Sequence, residues 1–137
     1  MAATVALALA VAGLAALGTA LVADRAALDP SAVEVGRGAI PETMPAEFPV
    51  PPDAVVGETS VDRGRSTTVV HLVMAASIEE AAGFFTVGLV SGGFVVQRSG
   101  EQGEGWEIRF SRLDLRGTVV MAPADAGTAV TVTIIDP

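Results

Sequence analysis

The side chains that can carry chemistry are few, and their types restrict what that chemistry can be. The chain has 137 residues with one His, no Cys, no Tyr and no Lys, so all eight basic residues are Arg. Without Cys there is no thiolate nucleophile, no disulfide, no thiolate metal site and no lipoprotein cleavage box. His71 stands inside Val69-Val70-His71-Leu72-Val73, the middle of a strand pattern, and lacks a Cys or Lys partner for base catalysis. Ser66, Ser91, Ser99 and Ser111 have no strand-turn-helix context that would make one of them a nucleophile. Glu79 and Glu80 are adjacent on one helical turn, ~100° apart, so they do not face each other across a substrate; capping and the helix dipole account for both. Glu101, Glu104 and Glu107 alternate with Gly100, Gly103 and Gly105, which offers fewer oxygens than the roughly six to eight that calcium takes. Gly88, Gly92 and Gly93 are not followed by Lys and do not open a helix, so they are no phosphate loop. These residues lead to the expectation of a non-enzyme with no cofactor, no catalytic residue and no metal site.

Charge narrows the partners. The net charge is −8. Residues 24–52 hold five carboxylates against two Arg, and the remainder eleven against six. No region is basic, which argues against nucleic acid, whose binding rests on cations neutralising phosphates. The same balance argues against attraction to an anionic membrane surface.

The elements that must position any surviving surface begin with Met1 to Ala23, which contains no charged side chain and is closed by Asp24-Arg25. A helix of ~22 residues rising ~1.5 Å each spans a bilayer's hydrocarbon core. We expect a retained transmembrane helix over 1–23. A cleaved signal peptide is the competing reading, with Gly18-Thr19-Ala20 as small residues at a cut, but the basic leader region is missing and the apolar run is long. Ala8, Ala12, Ala16 and Ala20 recur every fourth residue, a small-residue stripe suited to packing on another membrane helix. Arg25 and Arg37 follow the span, and read literally they hold the domain inside; the layout of single-span bacterial anchors favours an extracytoplasmic domain instead.

Six of the eight prolines lie in residues 24–52, with no sustained period. Pro fixes φ and removes a donor, so the expectation here is an extended Pro-rich tether. Within it, Phe48-Pro49-Val50-Pro51-Pro52 can instead dock on the domain as its first ordered element.

Residues 53–137 read as a small α+β domain. Strands are expected over Val55–Val61 and Thr67–Ala75 around an Asp62-Arg63-Gly64-Arg65 turn. Ser77-Ile78-Glu79-Glu80 has the form of a capping box, after which Ile78, Ala81, Ala82, Phe85 and Leu89 share one helical face and Gly92-Gly93 ends it. Strands over Phe94–Arg98 and Trp106–Phe110 are expected to pair with Phe94 opposite Phe110 and Val96 opposite Ile108, which sets Arg98 beside Trp106. Thr118–Ala122 and Thr128–Ile135 complete a ββαββββ order, one helix on an antiparallel sheet.

The Pro49/Pro51/Ala54 entry, the helix SIEEAAGFFTVGLVSGGF and the Trp106 strand resemble small exported or lipid-anchored bacterial envelope proteins of unknown function, over residues 49–110. That resemblance implies an envelope-associated domain and no particular chemistry.

Surface contacts are the remaining candidates. On a helical wheel Phe84 and Val87 fall away from Phe85 and Leu89, and Leu113 and Leu115 sit in the Arg112–Gly117 connection; all four are expected partner contacts. The expected function is a membrane-tethered, non-catalytic accessory or adaptor protein of a larger envelope membrane complex, single-pass in the cell membrane. The alternative is a free-standing envelope domain that binds a small molecule, lipid or cell-wall fragment.

Overall fold

Alternation of β-branched and polar residues builds most of the sheet. In the computed structural model, which describes residues 32–137, seven strands are formed by Val33–Arg37 (β1), Val55–Asp62 (β2), Thr67–Met74 (β3), Val95–Gln102 (β4), Gly105–Arg112 (β5), Leu115–Ala124 (β6) and Gly127–Ile135 (β7), with one helix, Ile78–Ser91 (α1), between β3 and β4. All pairings are antiparallel, in the order β1-β2-β3-β7-β6-β5-β4. The fold is α+β, one helix packed on a single antiparallel sheet. The expected span over 1–23, with Ala8, Ala12, Ala16 and Ala20, lies outside the described residues, as does 24–31. Among the described residues no helix is long and apolar enough to cross a membrane.

Period-2 patterning decides which sheet face is covered. Val70, Leu72, Ile108, Phe110, Val119, Met121, Val130, Val132 and Ile134 point to the helix side and are at most 2 % exposed. Helix α1 answers with Ala81, Ala82, Phe85 and Leu89, all buried. Its start matches the capping box: Ser77 Oγ accepts from the Glu80 amide at 3.1 Å, and the Ser77 amide donates to Glu80 Oε1 at 3.0 Å. It ends where Gly93 takes φ +87°, letting the Phe94 amide reach the Leu89 carbonyl at 2.9 Å. Only a residue free of a Cβ does this cheaply.

Residues 32–52 correct the expected tether. Val33–Arg37 is an edge strand paired to β2, Val33 opposite Asp62 and Arg37 opposite Glu58. Beyond it, Met44 (7 % exposed) and Phe48 (4 % exposed) lie in the core. The Phe48 ring meets Phe85 at 6.1 Å, Phe94 at 6.4 Å and Phe110 at 5.8 Å; Phe84 meets Phe85 at 5.3 Å, joining all five Phe in one network. The physical reason is area: a Phe gains ~1.5–3 kcal/mol on burial, which outweighs the extended preference of its Pro neighbours. The docking alternative holds for Phe48 and Pro51, which are buried, and for Pro49, which packs against Gly88 of α1, but among the described residues the first element is β1.

The β4–β5 hairpin corrects the expected register. Val96 pairs with Phe110, then Gln97 is an extra residue, and Ser99 pairs with Ile108 and Glu101 with Trp106. A bulge resets the alternation, so that polar Ser99 rather than Val96 sits opposite Ile108. Arg98 faces Arg109, not Trp106. The Trp106 indole donates to Ser99 Oγ at 2.8 Å, and the cation–π contact is instead made by Arg112, 4.4 Å from the Phe94 centroid.

Candidate functional site

The helix and the 38–54 connection cover one sheet face, and among the described residues the other is open. Its middle row runs Val35, Ser60, Val69, Thr133, Thr118, Arg109 across six strands. The next row runs His71, Thr131, Val120, Glu107. Small β-branched residues dominate because they suit a pleated, half-wet surface. Val35 is 74 % exposed at its edge and Val120 remains exposed within the sheet.

At the β4 side of this face Arg98, Arg109 and Arg116 come together, Arg98 and Arg109 as direct cross-strand partners. Like charges directly opposite are unfavourable, and Glu107 offsets them through an ion pair to Arg109 at 3.4 Å. Gln97, Arg109, Arg116, Thr118, Thr133 and Ile135 line a shallow cleft of ≈ 280 Å³. Guanidinium forks and hydroxyls can receive carboxylates or other anions there.

The four expected partner contacts have different fates. Val87 is exposed on α1, and Leu113 is 98 % exposed at the tip of the β5–β6 turn. Phe84 is half-buried, edge-on to Phe85, and lines a hollow with Pro51, Pro52 and Met74. Leu115 is corrected outright: it opens β6 and is buried in the core. The turn between β5 and β6 is only two residues long, so Leu115 already has strand alternation and points inward. The structure thus brings Phe84 to the core margin and leaves Val87 and Leu113 at separate places.

The titratable residues weighed for chemistry are dispersed. His71 lies on the open face, its Nδ1 3.2 Å from Thr131 Oγ1. Glu80 is held below the usual carboxylate range by the Ser77 backbone amide first, then the Ser77 hydroxyl. Glu47 is lowered chiefly by its hydrogen bond to Arg112, 2.9 Å away. That pair ties the 38–54 connection to the sheet. Among the described residues no group of three or more His, Cys, Asp or Glu is placed to hold a metal ion.

Sequence reasoning did not reach the open face as a unit, since its rows combine six strands. The available signal was Thr131 and Thr133 alternating with Val130, Val132 and Ile134. Comparison with protein-family models, with curated proteins and with solved structures gives no match.

Proposed function

We propose that the chain is a non-catalytic accessory or adaptor protein, held at the cell membrane by the uncharged run from Met1 to Ala23, with its domain extracytoplasmic and in contact with a membrane protein complex. The observation that carries this reading is the open Val/Thr sheet face beside an edge strand with exposed valines, Val33 and Val35. A sheet face uncovered, and an edge unpaired, among the described residues offers a partner both side-chain contacts and main-chain hydrogen bonds. The uncharged N-terminal run supports placement in a membrane, and its Ala8, Ala12, Ala16, Ala20 stripe supports company there.

The test is purification in mild detergent after crosslinking in native membranes, followed by mass spectrometry. The reading expects a stoichiometric membrane protein crosslinked through β1 or the open face. A lone, monodisperse chain counts against it.

A second reading is favoured by the Arg109–Arg116 cleft: a free-standing envelope domain that binds an anionic small molecule, lipid or wall fragment. It expects that Arg109→Gln and Arg116→Gln weaken ligand binding while leaving crosslinked proteins absent.

A further inference from the structure

The sheet is bounded by β1 and β4, and these two edges are built differently. Strand β4 carries the bulge at Gln97 and sets Arg98, Glu101 and Gln102 along its length. Bulges and charged side chains keep a second strand off an edge. Strand β1 has no bulge and no Pro, and its five residues pair one to one with β2, from Val33 opposite Asp62 to Arg37 opposite Glu58. Both of its charges are neutralised inside the domain, Glu34 by Arg63 at 2.6 Å and Arg37 by Glu58 at 3.1 Å. Val33-Glu34-Val35-Gly36-Arg37 therefore lacks the features that would turn a neighbouring strand away.

Two hydrogen bonds at the limits of β1 fix which of its main-chain groups are free. The Arg63 amide donates to the Ala32 carbonyl at 2.8 Å, and the Gly38 amide donates to the Gly57 carbonyl at 3.0 Å. Bonded and non-bonded pairs alternate in an antiparallel ladder, so Ala32, Glu34, Gly36 and Gly38 turn their N–H and C=O groups toward β2. Val33, Val35 and Arg37 turn theirs outward, to an edge that carries no further strand among the described residues. All three residues are exposed, and their side chains share the open face, with Val35 in its middle row.

We propose that this edge pairs with the β1 edge of a second copy of the chain, antiparallel, about a two-fold axis through Val35. In that register Val35 lies opposite the second copy's Val35, and Val33 of each copy lies opposite Arg37 of the other. The outward groups then make about six main-chain hydrogen bonds, none of which competes with β2. Glu34 falls opposite Gly36, which has no side chain to obstruct it. On the open face, Asp62 and Val33 of one copy continue into Arg37 and Glu58 of the other, so no like charges stand directly opposite. The two Glu34 are diagonal neighbours, each already held by its own Arg63. Moving the axis to Glu34 brings the two Glu34 face to face, and moving it to Gly36 leaves Val33 beyond the end of the other β1. Either shift keeps only about four of the six bonds. Each edge is consumed by its twin, so the assembly closes at two copies. The inference goes beyond the accessory reading and does not rest on the membrane run, and it leaves the open face of both copies to a different protein.

Five residues a side make a smaller interface than the usual ~800 Å² per partner, so the dimer should form at micromolar concentration. The full chain is followed in mild detergent by analytical sedimentation from about 1 to 100 µM, as parent and as Val35→Pro. Proline removes only the outward N–H of Val35, which β2 does not use, and edge strands accept it at such a position. Val35→Pro should weaken dimerisation at least about tenfold and keep the parent's cooperative unfolding. Val35→Lys, which sets two ammonium groups opposite each other across the axis, is the second variant and should weaken it comparably. Register is read by disulfide formation, which the absence of native Cys makes direct. Opposed Cα atoms lie ~5.5 Å apart, within disulfide range. Val35→Cys should crosslink to itself, and Val33→Cys to Arg37→Cys, about tenfold faster than Val33→Cys to itself across ~14 Å. Val95→Cys, exposed on the blunted β4 edge, should be as slow. A chain that stays monomeric at about 100 µM overturns the proposal. A dimer that both Val35 variants leave intact overturns β1 as its site, in favour of self-association elsewhere in the chain. Crosslinking of Val33→Cys to itself as fast as to Arg37→Cys overturns the antiparallel register.

Discussion

Substituting Leu115 with Ser removes a side chain from the core beside the sheet, whereas Leu113, two residues earlier, touches almost nothing. Leu115→Ser should therefore cost about 2–4 kcal/mol, and Leu113→Ser less than about 0.5 kcal/mol, in urea unfolding. Asn tolerates positive φ better than Leu, so Leu113→Asn should stabilise by about 0.5–1 kcal/mol. At Gly117 a Cβ would collide with the Phe110 ring and come within 2.8 Å of the Thr133 carbonyl. Gly117→Ala should lower stability by about 1–3 kcal/mol, since neither neighbour can retreat in a packed core. Glu80 supplies the pH dependence. Its carboxyl is depressed in the folded chain by the Ser77 amide, so its contribution is present at neutral pH and is withdrawn as pH falls below the ordinary carboxylate range. Unfolding followed against pH should show Glu80→Gln less stable than the parent at neutral pH, and the two curves converging in acid.

Among the elements, α1 and the strands β3, β5 and β7 were legible because each has one unbroken period, β2 was legible from its β-branched residues despite a register shift between Val56 and Thr59, and the capping box announced where the helix starts. What escaped was set by contacts distant in sequence. Val33-Glu34-Val35-Gly36-Arg37 is too short to show a period, and it becomes a strand only because β2 has a free edge. Phe48 is hidden among prolines, and its place was decided by three other Phe rings, drawn from α1, the residue before β4, and β5. The bulge at Gln97 left no mark in composition; each strand of that hairpin alternates acceptably in either register. Of the candidate site, Val87 and Leu113 were legible as exposed apolar residues, but the open face was not, since no single strand contains it. Phe48→Ala separates the two readings of residues 38–52. A tether residue would be silent, whereas a core residue should cost about 3–5 kcal/mol by chemical denaturation.

At the scale of the whole molecule, the sheet is two meanders, β1-β2-β3 and β4-β5-β6-β7, each built from neighbours in sequence on either side of α1. A single seam joins them, with Thr67 opposite Ile135 and Met74 opposite Thr128. Val70 and Val132 face each other in it, both fully buried. Pairing strands some sixty residues apart closes a long loop and is the slow part of such a topology. A chain ending before Gly127 should show no cooperative unfolding transition by circular dichroism, because two strand edges and the centre of the core are opened at once.

The central strand is therefore also the latest of the seven to be synthesised. Until β7 leaves the ribosome, the earlier strands can form hairpins but have nothing to close against, and the acidic, Cys-free chain has no staple to hold a partial fold. In the extracytoplasmic placement proposed above, that order of events would keep the chain extended until its last strand is made, and folding would follow on the far side.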